Sequence, residues 1–227
     1  NSVKDRYPEL RQESKTPTFA LTYLGTYRTL MKNLGWPEEK ARGVEDAYRE
    51  LYATSLAWVE EQIQLASKQG YAEGAFGLRI RTPLLHQTIL GLRSTPREAA
   101  AESRTLGNAI SGQSYGLLNN RAANAFMEKV WRSEYRYSVL PVAMIHDAIY
   151  LLVKDDLDVV AWVNRELPAA MSWQELPEIQ HPNVKLGAEL DLFWPSWEKP
   201  LTLPNDASPR KILELCIKHR MKYADEA

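Results

Sequence analysis

Hydrophobic positions recur at helical spacing over most of this chain and give way to short apolar runs in only a few places. Arg11, Lys15, Phe19 and Tyr23 fall four residues apart, so a helix would carry them as one stripe, two cations followed by two aromatics. Pro17 interrupts that stretch and predicts a bend or a fresh start, with Thr16 and Pro17 as an N-cap and first-turn pair. Gly25 marks a break, and Tyr27 to Asn33 predicts a short helix. From Pro37 to about Lys68 the spacing of Val44, Tyr48, Leu51, Tyr52 and Leu56 predicts helix, its apolar face extended by Trp58, Ile63 and Leu65 and ended by Gly70. Gly74 to Pro83 predicts a glycine-containing hairpin with Arg79 and Arg81 on one strand face. Residues 96–132 predict one long helix, thinned at Gly107 and Gly112, where another backbone comes close or the helix breaks.

The stretch Val139 to Val153 changes period: two apolar runs flank His146-Asp147 and predict buried strands with the polar pair at a tight turn. A carboxylate buried there without a partner would cost several kcal/mol, about the scale of apolar transfer, so a divalent cation is the expected partner. An ordinary hairpin with a solvated turn is the alternative. Asp155 to Asp158 predicts the start of a helix running to about Glu166. Val184 to Trp194 alternates as a final strand, Pro195 to Pro204 reads as a loop, and Ser208-Pro209 starts a last helix with Ile212, Leu215 and Cys216 on its apolar side. His219 is expected on the surface. The fold class is α+β, a helical region joined to part of an antiparallel sheet.

Composition narrows the class. At 227 residues, with 44% hydrophobic and 25% charged residues, the chain can bury a sizeable core. No apolar run is long enough for a membrane span, and the single cysteine fits a reducing cytoplasm. The net charge of −1 argues against nucleic acid until its distribution is read. Residues 1–42 carry eight Lys/Arg against five Asp/Glu, and residues 79–132 carry eight against three, whereas the intervening and final blocks are acidic. Two basic blocks are expected to face phosphates across one groove. The cation–aromatic stripe suits a nucleoside triphosphate, and Arg104, Asn108 and Gln113 could face a duplex minor groove.

The order of these motifs resembles family A DNA polymerases, the bacterial polymerase I type. Arg11-x3-Lys15-x3-Phe19-x3-Tyr23-x-Gly25 is similar to that family's fingers helix, and Gly70-Tyr71 with Gly77-x-Arg79-x3-Pro83 to the segment after it. Arg104-x3-Asn108 with Gln113 resembles its long palm helix, and His146-Asp147 the turn that holds a catalytic aspartate. Tyr23-Leu-Gly-Thr26 and Gln113-Ser-Tyr-Gly116 look closest to phage replicative members. The resemblance implies that Arg11 and Lys15 bind the incoming dNTP, with Lys15 also protonating pyrophosphate, while Phe19 packs on the sugar and Tyr23 closes the base-pair pocket. It implies that Arg79, Arg81, Arg104, Asn108 and Gln113 contact primer-template DNA, that His146 meets the primer end, and that Asp147 ligates Mg2+ in a two-metal site. Residues 1–95 would be fingers-like, 96–194 palm and 195–227 a C-terminal extension.

The sequence also departs from the pattern. Ala148 stands where the family commonly has Glu after His-Asp, one extra residue separates Asn108 from Gln113, and Pro17 is unusual within the fingers motif. The family's other metal aspartate lies on a strand before the fingers helix, and Asp5 is a poor candidate for it. The expectation is therefore the C-terminal part or one subunit of a polymerase, needing an N-terminal part as partner. A non-catalytic nucleic-acid-binding module derived from a polymerase is the alternative.

Overall fold

Pro8, whose missing N–H costs nothing in a first turn, opens helix α1 (Pro8–Thr22) directly after Tyr7. Pro17 lies inside this helix and is buried, so the expected restart at Thr16-Pro17 does not occur: Pro8 already supplies the start, and the helix continues through Pro17. The computed structural model describes residues 6–87 and 96–224, and places Asp5 outside them. Helix α1 ends in a Schellman turn: Gly25 N–H donates to Ala20 at 2.9 Å and Leu24 N–H to Leu21 at 3.0 Å. Leu24 occupies the left-handed position that usually takes glycine, at φ 58. Its side chain packs on the core, which offsets that strain.

Helix α2 (Tyr27–Leu34) follows, closed by Gly35 at φ 65. The predicted single helix of 37–68 is two, α3 (Glu38–Leu51) and α4 (Ala53–Gln69), broken at Tyr52. Trp58 and Leu65 do not extend a buried face as expected; Ile63 and Ala66 are buried and the larger pair is exposed. Gly70 caps α4 at φ 82. Strands β1 (Tyr71–Glu73) and β2 (Arg79–Arg81) form a hairpin whose first strand lies before the predicted span of 74–83, since Gly74 to Leu78 make the turn, and the helix α5 (Pro83–His86) follows. Glu102 of the long helix α6 (Arg97–Arg132) accepts from Leu85 N–H at 2.6 Å and fixes α5. Helix α6 is unbroken at both glycines. A Cβ at Gly107 would meet Val59 Cγ1 at 3.1 Å, so the close neighbour is a side chain of α4 and not a backbone.

The hairpin β3 (Val139–Ile145) and β4 (Ala148–Val153) is antiparallel, with Ile145 opposite Ala148 and an irregularity between Pro141 and Ala143. Helix α7 (Leu157–Met171) is capped by Asp156, whose carboxylate accepts from Asp158 and Val159, and runs five residues beyond the expected Glu166. The expected strand 184–194 is only β5 (Leu190–Phe193). It is not the last, because the stretch read as loop contains β6 (Pro200–Leu203), which pairs with it. Helix α8 (Pro209–Lys222) starts under a Ser208 cap. His219 is half-buried there, its Nε2 2.8 Å from Trp194 O and 3.2 Å from Lys199 O, and not the surface residue expected.

Two compact units make up the chain, residues 1–114 and residues 115–227. The first packs Ile63, Ala66, Leu85, Leu106 and Ile110 into one cluster and Leu21, Leu30 and Ala41 into another. The second packs Phe126, Val130, Val139, Val163 and Leu167. Each buried Leu, Ile, Val or Phe among them contributes roughly 1.5–3 kcal/mol relative to exposure. Helices with small antiparallel sheets make the architecture α+β, as the pattern predicts.

Candidate nucleotide and nucleic-acid site

In the first unit, helix α1 turns its Pro17 and Leu21 face inward and leaves Arg11 and Phe19 exposed, with Lys15 half-buried. Phe19 and the cap residue Tyr23 lie with ring centroids 6.4 Å apart and planes within 21°. A flat ligand therefore finds an aromatic surface beside two cations on the same stripe. Thr22, on the neighbouring face, ties α1 to α3 through a 2.8 Å bond between its hydroxyl and that of Tyr48.

Tyr23 shares one pocket with Arg104 and Asn108 of α6, and Gly25, Thr29 and Asn33 are among the other residues that line it. The Schellman turn sets this geometry by returning the chain from α1 to α2 within four residues. Three residues predicted from sequence thus meet at one place. Thr29 and Asn33 were not anticipated, because a polar residue on a short helix carries no signal of its own. Gln113 is exposed further along α6 and does not line this pocket. Arg79 and Arg81 both point outward from β2, as expected, with the Arg79 guanidinium 4.6 Å from the centre of the Tyr71 ring.

In the second unit His146 and Asp147 form the two-residue turn between β3 and β4. His146 takes φ 54, and its carbonyl accepts from Asn119 Nδ2 of α6 at 3.3 Å. Two expectations change here. Asp147 is exposed, so no burial cost obliges it to find a partner. The strands are half-buried only: Ile149, Leu151 and Val153 face the core, while Leu140, Val142 and Leu152 are exposed. Asn119 was missed too, although its place on the stripe of Ala122, Phe126 and Val130 is a legible signal, an amide on an apolar face.

Among the described residues no three His, Cys, Asp or Glu side chains cluster to hold a metal. Asp147 offers one hard oxygen ligand, and Ala148 beside it offers none. A magnesium ion is commonly bound through one or two carboxylates, with water and substrate phosphates completing its shell, so Asp147 can supply part of such a site. No described helix is long and apolar enough to cross a membrane.

Comparison with known proteins adds three findings. The model of DNA polymerase family A matches residues 1–197. DNA polymerase I of Pseudomonas aeruginosa is 26% identical over 155 residues, 68% of this chain and 16% of that protein. The solved POL domain of Pol1 from M. smegmatis, in complex with DNA primer-template and dNTP, superposes with a TM-score of 0.65 at 19% identity, over 82% of this chain and 30% of that one. The chain thus spans less than a third of the length of either relative.

Proposed function

Because the chain belongs to DNA polymerase family A, we propose that it takes part in template-directed DNA synthesis, the transfer of a nucleotide from a dNTP to a primer 3′ end. The observation that carries this reading is the shared pocket of Tyr23, Arg104 and Asn108 beside the Phe19–Tyr23 aromatic pair. Arg11 and Lys15 bind the triphosphate as charge-assisted donors, and Lys15 protonates the departing pyrophosphate. Phe19 packs on the sugar and Tyr23 closes over the base pair. Arg79, Arg81, Arg104, Asn108 and Gln113 hold primer-template DNA, mainly through phosphates and the minor groove. In this reading residues 1–95 act as fingers, 96–194 as palm and 195–227 as an added segment.

Asp147 serves as one magnesium ligand, and His146 meets the primer end. Two metal ions, when bound, would activate the attacking oxygen and stabilise the leaving one. Since Asp147 is the one carboxylate at the turn, the remaining ligands come from an N-terminal polymerase part. The hairpin's exposed residues Leu140, Val142 and Leu152 offer such a partner an apolar surface to cover. The protein is expected to work in the cytoplasm.

The experiment is primer extension by the full-length protein and by its Asp147→Ala variant. The variant should lose nucleotide addition and keep duplex binding. A variant that still extends primers at the parental rate overturns the reading. The lone carboxylate favours a second reading, a nucleic-acid-binding module without catalysis, and absence of extension by the parent together with tight duplex binding would establish it.

A further inference from the structure

Asn119 sits on α6, is only 6% exposed, and lies on the helix face of the buried residues Ala122 and Phe126. Its Nδ2 donates to the carbonyl of His146 at 3.3 Å, while its Oδ1 is buried and has no hydrogen-bond partner. A buried acceptor left unpaired destabilises a fold by roughly 1–3 kcal/mol. Leucine, of similar size, would remove that penalty. What the amide provides is a hold on one backbone carbonyl. That carbonyl belongs to a residue in the left-handed region, where a side chain is strained and the surrounding structure has to impose the conformation.

Asp147 follows immediately and is exposed at the tip of a two-residue turn. The hairpin strands fix the two ends of that turn, and Asn119 fixes its middle from a different element. We infer that Asn119 is a positioning residue for nucleotide addition: its side-chain amide holds the His146 carbonyl and so sets where the Asp147 carboxylate points. This inference rests on the polymerase reading of the turn. Groups that orient a ligand or catalytic carboxylate from behind typically affect activity by about 10–100-fold when removed.

The test compares Asn119→Leu and Asn119→Ala with the parent, in the full-length protein, by single-nucleotide addition, amide hydrogen exchange at residues 145–148 and thermal unfolding. The expected result is a fall of about tenfold or more in the addition rate, an unchanged KM for dNTP, faster exchange at the turn, and an unfolding midpoint for the leucine variant equal to or above the parent's. If the leucine variant does not fold, the alanine variant, which removes the donor without adding bulk or charge, decides the question by the same criteria. A rate within about twofold of the parent, or a loss of rate that tracks a lowered midpoint, overturns the inference. Asp147→Ala, assayed in parallel, separates the two claims. If it is inactive while Asn119→Leu is parental, only the positioning role falls; if it is active, the polymerase reading of the turn falls as well.

Discussion

The amide of Gly25 donates to the carbonyl of Ala20 at 2.9 Å, and a Cβ added to Gly25 would stand 2.5 Å from that same oxygen. No flexible side chain can give way, because the clash is with backbone. Gly25→Ala is therefore expected to open the turn after α1 and destabilise the chain by about 1–3 kcal/mol. Tyr23, two residues earlier, would shift with it, so the KM for dNTP should rise. Thermal unfolding together with steady-state nucleotide addition checks both, and an unchanged midpoint would show that the turn has room to spare.

Phe19 is 57% exposed, so its removal creates no cavity. Phe19→Ala should leave the unfolding midpoint within a degree or two and raise the KM for dNTP about tenfold, the equivalent of about 1.4 kcal/mol of lost packing against the sugar. Loss of stability without a change in KM would instead mark Phe19 as structural.

Trp197 lies 4.7 Å from the Tyr150 ring and 5.3 Å from Phe193, so it links β4 with β5. Each such aromatic pair contributes about 0.5–1.5 kcal/mol beyond area burial. Trp197→Ala is expected to destabilise the chain by about 1–3 kcal/mol, read as a lowered denaturant midpoint at constant slope. An unaltered midpoint would mean that β5 is held by its pairing with β6 alone.

Asp156 has its carboxyl held below the usual carboxylate value, first by the backbone N–H of Asp158 and then by that of Val159. Glu166 is lowered likewise, chiefly by Lys129 at 2.8 Å and also by Arg165. Both groups bind a proton less readily folded than unfolded. Their contribution is complete above the unfolded carboxylate range, about pH 4, and disappears as pH falls through the lowered folded values. Unfolding midpoints measured across that window should fall less steeply for Asp156→Asn than for the parent. Parallel curves would show that the cap does not carry the acid sensitivity.

Much of the fold was legible in the sequence because local chemistry decides it. The spacing of Arg11, Lys15, Phe19 and Tyr23 gave the stripe, Gly70 gave a helix end, and two apolar runs around His146-Asp147 gave the hairpin and its turn. The errors arose where a neighbour overrules the local signal. Pro17 was tolerated inside a helix that Pro8 had already started, and Pro200 entered a strand because β5 lay ready to pair with it. The order of motifs also carried the family, since residue types at fixed intervals survive without knowledge of contacts.

What sequence alone determined, then, was which residues carry charge, flatness and hydrogen-bonding capacity, and the helical or extended period on which each sits. Tertiary structure alone decided that Tyr23 lines one pocket with Arg104 and Asn108, that Asp147 is exposed, and that Asn119 reaches the carbonyl of His146. Local periods are set by backbone sterics over a few residues, whereas these relationships involve residues far apart in the chain and exist only once separate elements have packed.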